Sequence, residues 1–286
     1  MARRIAYAAT SSATGIILPT DLRVVPRSPT GPGVVIMPGG GAMENRFPGA
    51  AGESYAVYND ANEDVPVAAT GSASGRTDIL GIRIDDPQFA GQVPADPLTA
   101  KYCRAVLVPS IPTTYPFVPL ARIVQPANNG AITAAMITDL RTLIRPRRQR
   151  DLYNTQPTAQ SVCSSTSYTD WTPQANRDLK VPAWATQVKV VGMLGGVNPA
   201  TSAATAGGVR FALGSLTSQQ TGFDIASSTK QMLLTSDTLA VPASMRGTNQ
   251  TLKLQAAKNS GQGDFRTDQY STVLWDVEFL EVPSSD

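Results

Sequence analysis

The sequence contains no histidine among its 286 residues, and this absence removes most of the familiar enzyme chemistry. Ser-His-Asp and Cys-His hydrolases, histidine general bases and histidine-ligated metal sites all need an imidazole. Only carboxylate or lysine chemistry remains for catalysis. We therefore expect that the protein is not an enzyme.

Cysteine is almost as scarce, because the chain has only Cys103 and Cys163, far apart in the sequence. Neither a CxxC redox pair nor a zinc knuckle can be built from two such distant thiols. The carboxylates also show no spacing like that of an EF-hand loop. The sequence predicts two buried free thiols, no bound metal and no cofactor.

Charged residues make up only 16% of the chain, and the net charge is +2. Proteins that bind nucleic acid carry concentrated basic charge, which this composition does not offer. The densest basic cluster is Arg145 to Arg150, with four arginines in six residues and no interleaved aromatic residue that could stack on bases. We interpret it as a solvated linker or a source of ion pairs with acidic groups of neighbouring chains, and we expect no nucleic-acid partner.

Long apolar runs are missing too. No segment approaches the 18 apolar residues of a membrane helix. Thr10, Ser11, Ser12 and Thr14 interrupt the mildly apolar start before the core of an export signal can form. The sequence therefore predicts no membrane insertion, and a protein that is soluble or part of a larger assembly.

Glycine and proline are frequent, at 23 and 22 residues, and their spread along the chain is typical of many short strands separated by turns. In the first part, apolar runs that predict strands are residues 33–37, 54–58, 65–69, 78–84 and 102–108. Prolines recur from Pro109 to Pro126, a stretch that we expect to be an extended connector outside any central sheet. Residues 1–126 are thus a first β domain.

A change of period follows in residues 132–144. Ile132, Met136, Leu140 and Leu143 recur at spacings of three and four, which predicts a short amphipathic helix that ends before Pro146. A helix of about a dozen residues needs a partner for its apolar stripe. We expect residues 127–150 to form a helical neck and Arg-rich linker that trimerises with copies of itself, the alternative being packing onto a domain of its own chain.

The period-two signature returns in the last part, residues 151–286. Its clearest strand is the last one, where Val273, Trp275, Val277 and Phe279 alternate with Asp276 and Glu278, as in a buried face under a solvated one. Turn residues break the runs at the intervals of a sandwich or jelly roll. The fold class is therefore mostly β, with two β domains joined by a short helical neck.

Few residues suggest a ligand or a reaction. Asp85 and Asp86 are adjacent carboxylates, but they precede Pro87 at the end of a predicted strand, where a turn is the expected role. Trp171 lies in a polar stretch and is a candidate for stacking on a sugar ring, although core filling is the alternative that we favour. We predict no catalytic residue.

Three segments resemble a known family. Arg76 to Pro87 is similar to a run in the shoulder domains of actinobacteriophage tail proteins, and residues 181–190 and 273–281 look like the first core strand and the last strand of trimeric phage jelly rolls. Together with the arrangement of shoulder, neck and head, they make the chain resemble siphophage tail-tip or receptor-binding proteins.

This resemblance implies a homotrimer of the virion tail tip, made in the host cytoplasm. Its shoulder would dock on other tail proteins, and its head would face the host envelope and its glycans. Two other functions stay open, a secreted or virion-borne carbohydrate-binding module and a glycan depolymerase. The depolymerase would need several carboxylates that converge in a groove.

Overall fold

The computed structural model describes residues 14–49, 54–87, 89, 102–227 and 229–284. These residues form two compact units. The first consists of residues up to Pro146 together with residues 282–284, and the second is Arg147–Glu281. The described chain is mostly β, as expected, and its helical content is limited to three short 3-10 turns. None of these turns has the length or the apolar content to cross a bilayer.

Short antiparallel strands build the first unit. They are β1 Gly15–Ile16, β2 Val24–Pro26, β3 Gly33–Ile36, β4 Gly39–Glu44, β5 Ser54–Asn59, β6 Glu63–Pro66, β7 Arg76–Ile84, β8 Cys103–Val108, β9 Phe117–Gln125 and β10 Ile137–Asp139, with a 3-10 turn at Ala134–Met136. The sheet orders are β1-β4-β5, β2-β3-β6 and β10-β9-β7-β8. The five strands predicted from the sequence correspond to β3, β5, β6, β7 and β8, with ends that differ by three residues or fewer.

One apolar core joins these sheets. Ile36 of β3, Met43 of β4, Leu80 of β7 and Leu120 of β9 are fully buried and belong to a single cluster. Burial of each such side chain contributes about 1.5–3 kcal/mol. The first unit therefore has an apolar core of its own.

The expectation that residues 109–126 lie outside any central sheet is wrong for β9. This strand lies between β7 and β10, with Pro119 inside it. Leu80 pairs with Ala121, but the next residue, Gly81, pairs with Pro119, so the ladder has an irregularity at this point. A bulge is one of the few places where a sheet tolerates a residue that has no N–H to donate.

The expected helical neck is also wrong. Residues 132–144 form a single 3-10 turn and then β10, which pairs with β9, and the whole segment belongs to the first unit. Six of its thirteen residues are Ile or Thr, whose branched side chains favour strands over helices. The edge of β9 offers hydrogen-bond partners to such a segment, and this pairing outweighs a weak helical period.

Ile132 and Leu140 distinguish the two arrangements by experiment. Ile132 is fully buried in the core of the first unit, whereas Leu140 is only partly buried. Ile132→Ala should therefore lower the free energy of unfolding of the first unit by about 2–5 kcal/mol, and Leu140→Ala by clearly less. Differential scanning calorimetry measures both through the transition of the first unit, because the three tryptophans that dominate fluorescence lie in the second unit. Equal losses for the two variants would support a helical stripe and contradict this fold.

The second unit also consists of antiparallel strands. They are β11 Arg148–Thr155, β12 Ser161–Cys163, β13 Thr169–Asp170, β14 Arg177–Lys180, β15 Gln187–Pro199, β16 Thr205–Leu213, β17 Leu216–Thr217, β18 Thr221–Ile225, β19 Gln231–Ala240, β20 Asn249–Lys258, β21 Phe265–Thr267 and β22 Thr272–Leu280. Two 3-10 turns lie at Pro173–Ala175 and Ala243–Met245.

The strand order of this unit is that of a jelly roll. One sheet runs β11-β22-β15-β19, with β21 and β12 continuing from the far end of β15. In the other sheet, β20 lies between β16 and the pair β13 and β14, and β17 and β18 pair with the far side of β16. From β15 onward, successive long strands alternate between the sheets, as expected for the two Greek keys of a jelly roll. The inner faces of both sheets share one core cluster.

The expected register of the last strand is confirmed. Val273, Trp275, Val277 and Phe279 are buried in that core, and Trp275 is 1% exposed. The indole N–H of Trp275 donates to the carbonyl oxygen of Ala175 at 2.8 Å, so its polar atom is satisfied inside the core. Asp276 and Glu278 point to the opposite face, where both carboxylates accept hydrogen bonds from arginines.

Trp275→Ala should destabilise the second unit by about 3–5 kcal/mol, because it removes a fully buried ring and leaves a cavity. Differential scanning calorimetry should show the transition of this unit at a lower temperature. Tyr270→Ala is the matched control, since Tyr270 is exposed and lies in the turn just before the same strand. An unchanged thermogram for Trp275→Ala would show that the register is not this one.

Candidate docking face

The outer face of the sheet β11-β22-β15-β19 has an apolar half. Strand pairing places the residues of this face in two neighbouring rows. In one row, Leu152 pairs with Asp276, which pairs with Val191. In the next row, Leu274 pairs with Met193, which pairs with Leu234. Residues directly paired in this way lie on the same face. We call this group the outer patch, which consists of Leu152, Val191, Met193, Met232, Leu234 and Leu274.

Several side chains of the outer patch face solvent. Leu152 is 65% exposed, Met232 66% and Leu234 49%, and the other three are partly buried. Single exposed apolar residues are ordinary on protein surfaces, but contiguous apolar patches mark interaction sites. The outer patch is therefore a surface that this unit can use for docking.

A ladder of ion pairs between β11 and β22 lies on the same face, and its Asp276 separates Leu152 from Val191 in their row. Arg148 binds Glu278, and Arg150 binds both oxygens of Asp276 at 2.7 and 2.5 Å. The two arginines belong to the Arg-rich cluster that we interpreted as a linker. They lie instead in β11, and their acidic partners belong to the same chain. Arg147, just before β11, binds Glu281 at 2.5 Å, and this carboxylate is buried just after the end of β22 rather than exposed on the outer face.

Hydrogen bonds to cationic side chains lower the pKa of three aspartates in the second unit. Arg150 lowers the pKa of Asp276, Lys253 lowers that of Asp170, and Lys230 lowers that of Asp268. In each case the hydrogen bond is the largest cause, and burial opposes it. These groups are therefore ionised in the folded unit at a pH where they are already protonated in the unfolded chain.

Acid should destabilise the second unit for this reason. The contribution of a carboxylate with a lowered pKa is complete above its unfolded value of 3.8 and disappears as the pH falls through the folded value. Exposed pairs are each worth about 0.2–1 kcal/mol. Thermal melts between about pH 5 and pH 2.5 should show a falling melting temperature, with a shallower fall for Asp276→Asn. The same slope in both proteins would contradict the assignment to Asp276.

The residues expected to form a trimer neck do not share one exposed stripe. Ile132 is fully buried in the core of the first unit, and Leu143 packs against that core. Met136 and Leu140 are partly buried, and the amide N–H of Leu140 donates to the carbonyl oxygen of Leu120 at 3.0 Å. These contacts correspond to packing onto a domain of the same chain, the alternative stated above.

Trp171, the candidate glycan contact, has no ring face open to a sugar. It is 3% exposed and packs edge-on against Phe265, with ring centroids 4.9 Å apart. Its indole N–H donates to the carbonyl oxygen of Ser161 at 3.1 Å. The structure thus places Trp171 in the core, which is the role that we favoured from the sequence.

The adjacent carboxylates considered for catalysis have structural partners. Asp85 binds both Arg83 and Arg104, and Asp86 accepts a hydrogen bond of 2.6 Å from the hydroxyl group of Tyr55. Within the described ranges, no group of three carboxylate or thiol side chains lies close enough to hold a metal ion. The site with the clearest chemical character on the second unit is therefore the outer patch.

Sequence reasoning did not find the outer patch, although a signal was present. Residues Met232, Leu233 and Leu234 are consecutive and apolar, so β19 is apolar on both faces rather than on one. In β22, Leu274 shares the solvated face with Asp276 and Glu278. Strands with apolar residues on both faces are usually buried on both faces.

No protein-family model matches the chain, and neither does any curated protein sequence. Among solved structures, the chain is similar to the infectious bursal disease virus Gx strain, with 13% identity, 94% of this chain and 67% of that chain covered and a TM-score of 0.31. For the VP2 subviral particle of the same virus, the values are 12%, 96%, 75% and 0.28. For dimeric latent PorU from Porphyromonas gingivalis, they are 9%, 94%, 21% and 0.28. At such TM-scores the likeness assigns neither a fold nor a function, and the jelly-roll order rests on the strand pairing of this chain alone.

Proposed function

We propose that the chain is a non-enzymatic structural protein of a virion, which assembles with copies of itself through the outer patch. The observation that carries this proposal is the exposure of Leu152, Met232 and Leu234 on one sheet face, with the partly buried Val191, Met193 and Leu274 on the strands between them. Assembly would remove this apolar surface from water, at about 25 cal/mol for each Å². A protein that acts by assembling needs such a face, and an isolated binding or catalytic domain does not.

The charges of the face favour a second copy as the occupant. Arg148 and Arg150 are balanced within the chain by Glu278 and Asp276. Two copies of the face can therefore approach with little like-charge repulsion. Lys189 of β15, which pairs with Glu278, adds one further positive charge, and this is too little to attract a strongly acidic partner.

The position in the particle comes from the family resemblance. Residues 76–87, 181–190 and 273–281 resemble siphophage tail-tip proteins, and these segments contain β7, the first part of β15 and almost all of β22. We propose a homotrimer at the tail tip that contacts other tail proteins and contributes to host attachment. The jelly-roll order of the second unit supports this proposal, because capsid and lectin domains use that architecture. The trimer no longer depends on a helical neck.

Multi-angle light scattering tests the assembly. The purified chain should have a mass of three times 30.2 kDa, and the double variant Met232→Ser with Leu234→Ser should be a folded monomer. Val124→Ser is the control, since Val124 lies on a strand of the first unit and its exposure of 47% matches that of Leu234. A monomeric parent protein would sink the proposal, and a dimer would retain self-association but exclude the trimer.

Two further experiments test the position of the chain in the particle and the proposal that it is not an enzyme. Gold-labelled antibody against the chain should mark the tail tip in electron micrographs of the particles that contain it. Label elsewhere on the particle would contradict the tail-tip assignment. Release of reducing ends from host-envelope glycan by the purified chain would instead favour the depolymerase alternative.

A further inference from the structure

The first unit has an open cleft of about 760 Å³ beside its four-stranded sheet. Its floor is apolar, formed by Ile82 of β7 and by Ala105, which pairs with Ile82 from β8. Its wall comes from the end of β5, the connection to β6 and the start of β6. The volume lies within the range of about 300–1,000 Å³ that is common for small-molecule sites.

Tyr58 provides an accessible aromatic ring at this cleft. Its side chain is 55% exposed, and no hydrogen bond or ring contact joins it to any other residue in the described ranges. A second tyrosine, Tyr102, lies on the cleft beside β8. An exposed tyrosine at the edge of a polar cleft offers a flat apolar face, which suits the C–H face of a sugar ring.

Polar groups that can bind hydroxyl groups lie next to Tyr58. Glu63 and Asn62 line the cleft, and neither side chain has a hydrogen-bond or ion-pair partner among the described residues. The side-chain amide of Asn59 donates to the carbonyl oxygens of Ile36 and Met37, both at 3.3 Å, which holds this end of β5 in place. A carboxylate and an amide in this position can accept and donate hydrogen bonds to a polyol.

The charge of the cleft restricts its ligand. Asp64 is bound by Arg27 at 3.0 Å, so Glu63 is the carboxylate that remains without a cation among the described residues. Cys103 also lines the cleft and is exposed, which corrects the expectation that both thiols are buried, since only Cys163 is buried. An anionic sugar would meet the Glu63 carboxylate, and the amides favour a polyol over an ammonium group.

We propose that this cleft binds a neutral oligosaccharide, with one sugar ring stacked on Tyr58 and its hydroxyl groups hydrogen-bonded to Glu63 and Asn62. This site is separate from the outer patch, because it lies in the first unit and needs no second copy. The sequence expectation placed a glycan contact at Trp171 of the second unit, which is buried. The proposal therefore assigns glycan binding to different residues and to the other unit.

Saturation-transfer difference NMR tests the proposal with maltotriose, cellotriose, mannotriose and a galactose trisaccharide as probes. At least one of these neutral probes should bind, and Tyr58→Ala should weaken its binding at least tenfold, whereas Tyr58→Phe should keep it. Glu63→Gln, which retains the shape and removes the charge, should weaken binding at least threefold. Tyr270→Ala is the control, because it removes an exposed tyrosine of the second unit and should change nothing.

Several outcomes would overturn the site. They are no binding of any neutral probe, binding that Tyr58→Ala leaves intact, and displacement of the sugar by choline, which would indicate an ammonium site. Tyr58→Ala should melt at the same temperature as the parent chain because its ring is exposed, and Glu63→Gln remains a second test if it does not. The assembly proposal is tested by light scattering of the outer-patch variants and the glycan proposal by sugar binding at the cleft. Either proposal can therefore fail without the other.

Discussion

Pairing between the first and the last strand of the second unit is the constraint on which much of that unit depends. β11 and β22 pair from Arg148 with Leu280 to Thr155 with Val273. The chain enters the unit at Arg147 and leaves it at Glu281, so this pairing brings the two ends together, and their side chains form an ion pair. Residues 282–284 then rejoin the first unit, where Arg141 donates to the carbonyl oxygen of Ser284. The second unit is thus an insertion in the sequence of the first.

The same pairing determines the chemistry of both faces of β22. Because β22 lies between β11 and β15, its inward side chains must be apolar, and Trp275 lies directly opposite Gly192 of β15. The indole ring occupies the space where a larger residue at position 192 would place its side chain, so glycine is needed there for close approach. On the outward side, Asp276 and Glu278 face β11, and this explains why arginines are concentrated at the start of β11.

Sequence patterns recovered the parts of the fold that depend on local period. The alternation around Trp275 gave the correct buried face, because a shift by one residue would have exposed four apolar side chains and buried Asp276 and Glu278. The helix at residues 132–144 and the connector at 109–126 were wrong for one shared reason. Both segments join the same sheet, β9 through the distant strand β7 and β10 through β9 itself, and that pairing supplies more free energy than helix propensity or the cost of Pro119 removes.

The two proposed surfaces differ in how far the sequence could have indicated them. The cleft depends on a meeting of the β5–β6 connection with β7 and β8, and no spacing in the sequence brings Tyr58 next to Ile82. The outer patch depends on apolar residues at outward positions, which a count of alternate residues can find at Met232 and Leu234 of β19 and at Leu274 of β22. It could be located from sequence once the sheet order was known.

Closed assembly is the arrangement that best suits the outer patch. β19 pairs only with β15 among the described strands, so its free edge lies next to Met232 and Leu234, and an exposed apolar edge strand is prone to open-ended association. The ion-pair ladder would disfavour open-ended association. A copy shifted along the face would place Leu152 or Leu234 against Arg148 and Glu278, and the loss of water around these charges would cost free energy. In the assembly that we propose, the ion pairs would therefore favour one register, and a fixed register would allow identical copies to close into a finite ring rather than a fibre.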